Sequence, residues 1–326
     1  MSENKKLKLA VYWASACGGC DVAITHLHEK VLDLAAAADI LFWPCAMDFK
    51  YKDVEEMPDG HIDVCIFSGA IRTSEHEHFA KLLRQKSKVM AAYGACSCMG
   101  GIPGLSNVTT AVESMSRACL ESPSTLNKDR TLPALSADVP EGTLTLPVIW
   151  DTVKSLRQVI DVEYFIPGCP PSPEITWAAI EAIVSGKLPA PGSVIGGNKS
   201  VCDECKLEKK NEMRVGEIKR MWQIKPDTSQ CLMEQGLVCI GPATRGGCGA
   251  LCTNVMMPCR GCYGPVEGVD DFGAAMLSAL ASVIDSNDEK RIAEVVDSVP
   301  DPIGTFYRFS LPESTLRRRK IAKEGV

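Results

Sequence analysis

Cysteine closes one apolar run after another in the first part of this chain. LKLAVYWA leads into Cys17 and Cys20, VMAAYGA into Cys96, and VEYFIPG into Cys169. Each run is short, β-branched or aromatic, and apolar nearly throughout. That is the pattern of a strand covered on both faces of a parallel sheet. ADILFWPC and HIDVCIFSGA read the same way. Helical patterns lie between them. Asp21 is placed to cap a helix whose apolar face is Ile24, Leu27, Val31 and Leu34; Ser74 can cap EHEHFAKLLRQK; SPEITWAAIEAIVSG ends on Gly186. Strands alternating with helices predict an α/β, doubly wound parallel sheet over residues 1–190. The ligand crevice of such a sheet forms at its carboxyl edge. Cys17, Cys20, Cys96 and Cys169 are therefore expected to converge there, beside helix N-termini that favour the thiolate form.

The rhythm breaks between Leu105 and Pro147, where a Ser-, Thr- and Pro-rich stretch reads as a long surface excursion. KLPAPGSVIGGNK, Lys187 to Lys199, is a Pro/Gly-rich joint and sets the expected domain boundary at 190/191. Residues 191–326 then form a smaller, cysteine-dense domain. Cys202, Cys205, Cys231 and Cys239 make one group of four; Cys248, Cys252, Cys259 and Cys262 make another.

A net charge of −6 gives no general attraction to nucleic acid or anionic membrane. The basic run RRRK, Arg317 to Lys320, is either a solvated end or a contact for an acidic partner. No apolar run reaches the roughly 18–20 residues of a membrane span. MSENKKLKLAVYW has no signal-peptide pattern, so a cytoplasmic protein is expected. Sixteen cysteines in that compartment argue for metal or redox chemistry over structural disulfides.

Taken alone, CGGC suits a redox dithiol, half a zinc site or half an iron–sulfur site. A dithiol leaves Cys96 and Cys169 unexplained. Structural zinc sites usually pair one CxxC with a second CxxC or with histidines. Here the spacings are uneven and the intervening residues are small or apolar, which suits iron–sulfur ligation. Cys45, Cys65, Cys98 and Cys119 are left as small buried hydrophobes. Cys98 stays open as a substitute for Cys96, which is preferred because the turn CMGG follows. The five histidines all precede residue 79, and HEH at 76–78 does not share a helix face. There is no phosphate-binding glycine motif and no nucleophile–base triad.

CGGC, YGACSCMGGIPG (93–104) and IPGCPPSPE (166–174) together resemble the small, electron-transferring subunit of [NiFe] hydrogenases, over nearly the whole chain. IRTSEHE, Ile71 to Glu77, with the two all-cysteine groups, looks most like the cytoplasmic methyl-viologen-reducing group linked to heterodisulfide reductase. The resemblance implies a flavodoxin-like first domain with a proximal [4Fe–4S] cluster on Cys17, Cys20, Cys96 and Cys169. It implies a medial [4Fe–4S] cluster on Cys248, Cys252, Cys259 and Cys262, and a distal one on Cys202, Cys205, Cys231 and Cys239. It further implies that H2 is split at a nickel–iron site on a separate large subunit. Electrons then leave through the three clusters to an acceptor protein, a [2Fe–2S] or flavin subunit, and this chain itself carries no catalytic residue. Cys202 stands where periplasmic members carry histidine, and Cys252 adds a thiolate to their three-iron medial site. Both changes are expected to lower the cluster potentials. Asp21-Val22 replaces the Ser-Glu common after the second cysteine.

Two other classes remain to be separated. An iron–sulfur subunit of a respiratory-type NADH or ferredoxin dehydrogenase shares the first fold, but typically has adjacent cysteines at the first motif and lacks the second domain. A CxxC dithiol oxidoreductase would carry a zinc-bound C-terminal domain. Elemental analysis after anaerobic purification is expected to give about twelve irons per chain, with matching sulfide and negligible zinc; a zinc-filled, iron-free protein contradicts the iron–sulfur reading.

Overall fold

A computed structural model describes residues 6–210 and 212–317. Of the basic run 317–320, only Arg317 lies among them. The first domain opens with β1 (Leu7–Trp13), α1 (Gly19–Thr25), α2 (Lys30–Ala37), β2 (Ala38–Phe42), α3 (Tyr51–Glu55) and β3 (Ile62–Ser68). It continues through β4 (Ile71–Thr73), α4 (Ser74–Lys86), β5 (Ser87–Tyr93) and α5 (Gly94–Met99). After the excursion come β8 (Ile149–Lys154), β9 (Tyr164–Ile166), α7 (Pro173–Ser185) and β10 (Ser193–Val194). The excursion holds α6 (Ala111–Ser116) and an exposed antiparallel hairpin of β6 (Ser136–Val139) and β7 (Gly142–Thr145).

The main sheet has six strands in the order β10-β9-β5-β3-β1-β2, every pair parallel. All five sequence-predicted strands are in it. Their unbroken apolar character follows from burial on both sides. Leu9 and Val11 of β1 pack with Ile24, Leu34, Ile66 and Ile180; Ala10 and Tyr12 face Phe42, Phe67, Phe79 and Met90 on the other side. The two-residue strand β10 completes the sheet beyond the expected boundary, so the Pro/Gly joint is itself stitched into the first fold.

Three local expectations need correction. The helix expected across Ile24 to Leu34 is two helices, interrupted at 26–29, where His28 takes φ 53°. Asp21 is not its cap: Gly18 is, and Asp21 sits buried in the first turn. For α4 the cap is Thr73, whose hydroxyl accepts the His76 N–H at 3.2 Å, one residue before the expected Ser74. Gly186 does terminate α7, at φ 66°.

The C-terminal part has short elements: α8 (Val201–Glu204), α9 (Leu251–Asn254), α10 (Phe272–Ser282), α11 (Glu289–Asp297) and α12 (Pro302–Phe306). Its core gathers Val215, Ile240, Phe272, Met276, Leu280 and Phe306 around irregular loops. The last described segment then returns to the first domain. Phe309 enters that domain's core. Its carbonyl accepts the Gly101 N–H at 3.0 Å, and the Asn107 side-chain amide donates to Val153 and Arg317 carbonyls, each at 3.0 Å. Arg157 pairs with Glu313. Phe309→Ala is expected to cost about 3–5 kcal/mol. In a thermal melt both domains should be lowered together, because the side chain belongs to one sequence region and the core to the other; loss confined to residues beyond 200 would contradict this.

Candidate metal centres

Register across the sheet fixes the first thiol set. Trp13 pairs with Ser68, Ser68 with Tyr93, and Tyr93 with Ile166. These four residues form one row at the carboxyl edge. Cys17, Cys20, Cys96 and Cys169 lie a few residues past that row on the loops and helix starts that follow it. Cys20 lies within electrostatic reach of Cys96, Cys169 and Cys98, and Cys17 within reach of Cys96 and Cys169.

Backbone crowds closely around these sulfurs. A Cβ built on Gly94, at φ 85°, would come 2.3 Å from the Cys20 Sγ, and one on Gly101 would come 2.6 Å from the Cys96 Sγ. Only glycine permits that approach. The Gly19 N–H donates to the Cys17 sulfur at 3.4 Å. Cys20 and Cys96 are buried, while Cys17 and Cys169 are exposed. Trp13, 41% exposed, lies over Gly18 on the same open rim.

Cys98 has a different engagement: its Sγ donates to the Ala92 carbonyl at 3.4 Å inside the sheet-and-helix core. Cys65 is fully buried on β3, as expected. Cys45 and Cys119 are not buried: one is exposed after β2, the other half-buried on the excursion.

In the second domain Cys202 lies within electrostatic reach of Cys231, Cys205 and Cys259, and the Cys202 and Cys239 sulfurs lie around Gly241, at 3.3 and 3.5 Å from where its Cβ would stand. Cys259 neighbours Cys248 and Cys252, and Cys262 neighbours Cys259 and Cys248. The groups adjoin. The Cys169 backbone amide eases the rise at the Cys262 thiol, and the Ser172 N–H donates to the Tyr263 hydroxyl at 2.9 Å. At the other junction the Cys259 N–H donates to the Cys239 sulfur at 3.3 Å.

Burial governs the thiols' ionisation. It pushes Cys96 up to about 12, with Cys169 and Cys17 adding repulsion, and it does the same to Cys202, Cys239 and Cys262. The expected lowering by helix N-termini is outweighed, because desolvation and clustered like charges act together. N–H groups of Gly241, Ala250, Leu251 and Gly261 oppose the rise at Cys239, Cys248 and Cys259. Clustered soft donors in an amide-lined setting fit a polycationic iron–sulfide core, which neutralises several thiolates at once. Among the described residues no three His, Cys, Asp or Glu side chains close on one single-ion site; the sets are more open than that.

A residue beside the first set carries a role that sequence reasoning misassigned. The buried Asp21 carboxylate accepts from Trp43 Nε1 at 2.9 Å, Cys45 Sγ at 3.0 Å and Ser68 Oγ at 3.3 Å. It ties α1, and with it Cys20, to the loop after β2 and to the end of β3. Partial burial, then this carboxylate, pushes Cys45 up to about 11. A short acidic residue directly after CGGC was the available signal; its partners are distant in sequence.

Fold and thiol placement together define the small, iron–sulfur type of hydrogenase subunit. Residues 17–183 match the family model of the NADH ubiquinone oxidoreductase 20 kDa subunit. The chain is 41% identical to the iron–sulfur subunit of the F420-non-reducing hydrogenase of Archaeoglobus profundus, covering 96% of this chain and 98% of that one. It is 39% identical to an F420-non-reducing hydrogenase subunit of Methanothermobacter thermautotrophicus, with 98% and 99% covered. The chain belongs to this family of F420-non-reducing hydrogenase subunits, within an oxidoreductase complex acting on H2. The [NiFeSe] hydrogenase structure from Desulfovibrio vulgaris Hildenborough superposes with a TM-score of 0.50 at 15% identity, over 81% of this chain and 95% of that one, a likeness of fold.

Gly94→Ala is expected to displace the Cys20 sulfur and remove about four irons per chain while circular dichroism stays native; unchanged iron would contradict the cradle. Asp21→Ala, which strands the buried Trp43 N–H, is expected to lower stability by about 1–3 kcal/mol in denaturant titration. Asp21→Asn, which keeps an acceptor, should recover part of it.

Proposed function

We propose that this chain is the electron conductor of a cytoplasmic hydrogenase, joining a nickel–iron large subunit to an acceptor protein. The acceptor is a [2Fe–2S] or flavin subunit linked to heterodisulfide reductase. The first domain, which runs on through β10, holds the proximal cluster on Cys17, Cys20, Cys96 and Cys169. The cysteine-dense part after it holds the medial cluster on Cys248, Cys252, Cys259 and Cys262, and the distal one on Cys202, Cys205, Cys231 and Cys239. Each [4Fe–4S] cluster, when bound, supplies a one-electron carrier.

The observation that carries this reading is that neighbouring thiol sets adjoin: the Cys169 backbone amide acts on the Cys262 thiol, and the Cys259 N–H donates to the Cys239 sulfur at 3.3 Å. The residues' work is to bind, position and keep water out. Glycine-lined approaches hold the sulfurs close, backbone N–H groups stabilise their charge, and the cores on either side exclude solvent. The open rim at Cys17, Cys169 and Trp13 suits cover by the large subunit. No helix among the described residues is long and apolar enough to cross a membrane.

Replacing Cys252 by Ala is expected to convert the medial site to a three-iron cluster, read as a new paramagnetic signal in the oxidised state. An unchanged spectrum overturns that ligand. Cys202→His, which removes one thiolate from the distal set, is expected to raise one midpoint potential in a redox titration and leave the other two in place.

A further inference from the structure

A groove of about 420 Å³ opens on the second domain beside the last two thiol sets. Val238 and Pro258 form part of its wall, and each immediately precedes a sulfur that joins those sets, Cys239 and Cys259. The rest of the lining is strongly cationic. Arg220 and Arg260 are exposed, Arg308 is half-buried with its Nε–H donating to the Gly304 carbonyl at 2.9 Å, and Lys219 is paired with Glu217 at 2.6 Å. Asp301 is the one carboxylate in the lining, and it is engaged in capping α12, accepting the Gly304 N–H at 3.1 Å. Trp222 lines the same groove and is 82% exposed.

Such a cluster is unusual on a chain of net charge −6. Surface arginines with an exposed tryptophan are the residue types that carry binding energy at protein interfaces. Arg260 lies within electrostatic reach of Cys239, Cys252 and Cys259, so charge in the groove sits beside the sulfurs rather than away from them. We infer that this groove is the docking site for an acidic electron-carrier protein, which Arg220, Arg260 and Arg308 steer and Trp222 anchors. The inference rests on the conductor reading and names the face on which that reading's acceptor lands. Complementary charge chiefly raises the association rate and is screened by salt, with a Debye length of about 8 Å at physiological ionic strength.

The test uses the hydrogenase purified anaerobically as its large and small subunits without the acceptor subunit, with an acidic two-cluster ferredoxin as probe. Binding is measured by calorimetry at low and high salt. H2-dependent reduction is followed for the ferredoxin and, separately, for methyl viologen, a small dication. Arg220→Glu and Trp222→Ala are each expected to weaken ferredoxin binding at least fivefold, and Arg220→Glu to flatten its salt dependence. Iron content and methyl viologen reduction should stay at the unsubstituted level. Lys128→Glu, on the exposed excursion, should change nothing. Binding that is indifferent to both groove variants, or that falls equally with Lys128→Glu, overturns the docking site. A parallel loss of methyl viologen reduction also overturns it, by tracing the effect to the metal centres. Groove-dependent binding with no reduction under H2 supports the site and overturns the conductor reading.

Discussion

Four side chains in one row across a parallel sheet, Trp13, Ser68, Tyr93 and Ile166, set the position of everything that follows in the first domain. Parallel pairing leaves little freedom: once the register is fixed, the loop after each strand starts at the same edge. Cys17, Cys96 and Cys169 leave from that row, and Cys20 is brought in by the first turn of α1. Tyr93 is held from the other side by its hydroxyl, 2.8 Å from the Thr176 Oγ1 on α7. The crevice is thus braced by the sheet below it and by a helix beside it.

The second domain solves the same problem with less regular structure. Its helices are short, and much of the chain between 205 and 265 runs as turns. Order comes from backbone groups that bond locally, such as Ile240 N–H to the Cys259 carbonyl at 3.0 Å and Arg245 N–H to the Gly264 carbonyl at 2.9 Å. Such loops bring many amide N–H groups near sulfur, which a helix interior cannot do because its amides are already spent. Sparse secondary structure here is a means of directing donors at thiols.

Much of this was legible in the sequence. Strands buried on both faces leave an uninterrupted apolar run, and cysteines at their ends mark the edge where ligands gather. The partition of thiols into fours followed from spacing alone, while in the structure Cys259 lies between Cys239 and the other thiols of its own group. What was hidden depends on contacts between distant residues. Asp21 read as a helix cap because its neighbours along the chain suggest one; Trp43, Cys45 and Ser68 claim its carboxylate instead. Cys45 and Cys119 read as buried because free cysteine usually is, yet the loop that carries one and the short helical turn that carries the other lie at the surface. The antiparallel pair of β4 and β8 joins residues on either side of the excursion, and no local pattern announces such a long closure.

Phe309 belongs to the core of a domain whose other members precede it by more than a hundred residues. During synthesis that side chain emerges only after every cysteine of the second domain. The first core therefore stays one large residue short until the whole cysteine-dense region has emerged. Until then the segment around Gly101, beside Cys96, lacks the carbonyl that later pins it. The turn beside Cys96 is therefore pinned by a residue that lies beyond the whole cysteine-dense region, so the edge of the first crevice takes its final shape only when the second region has folded back onto it.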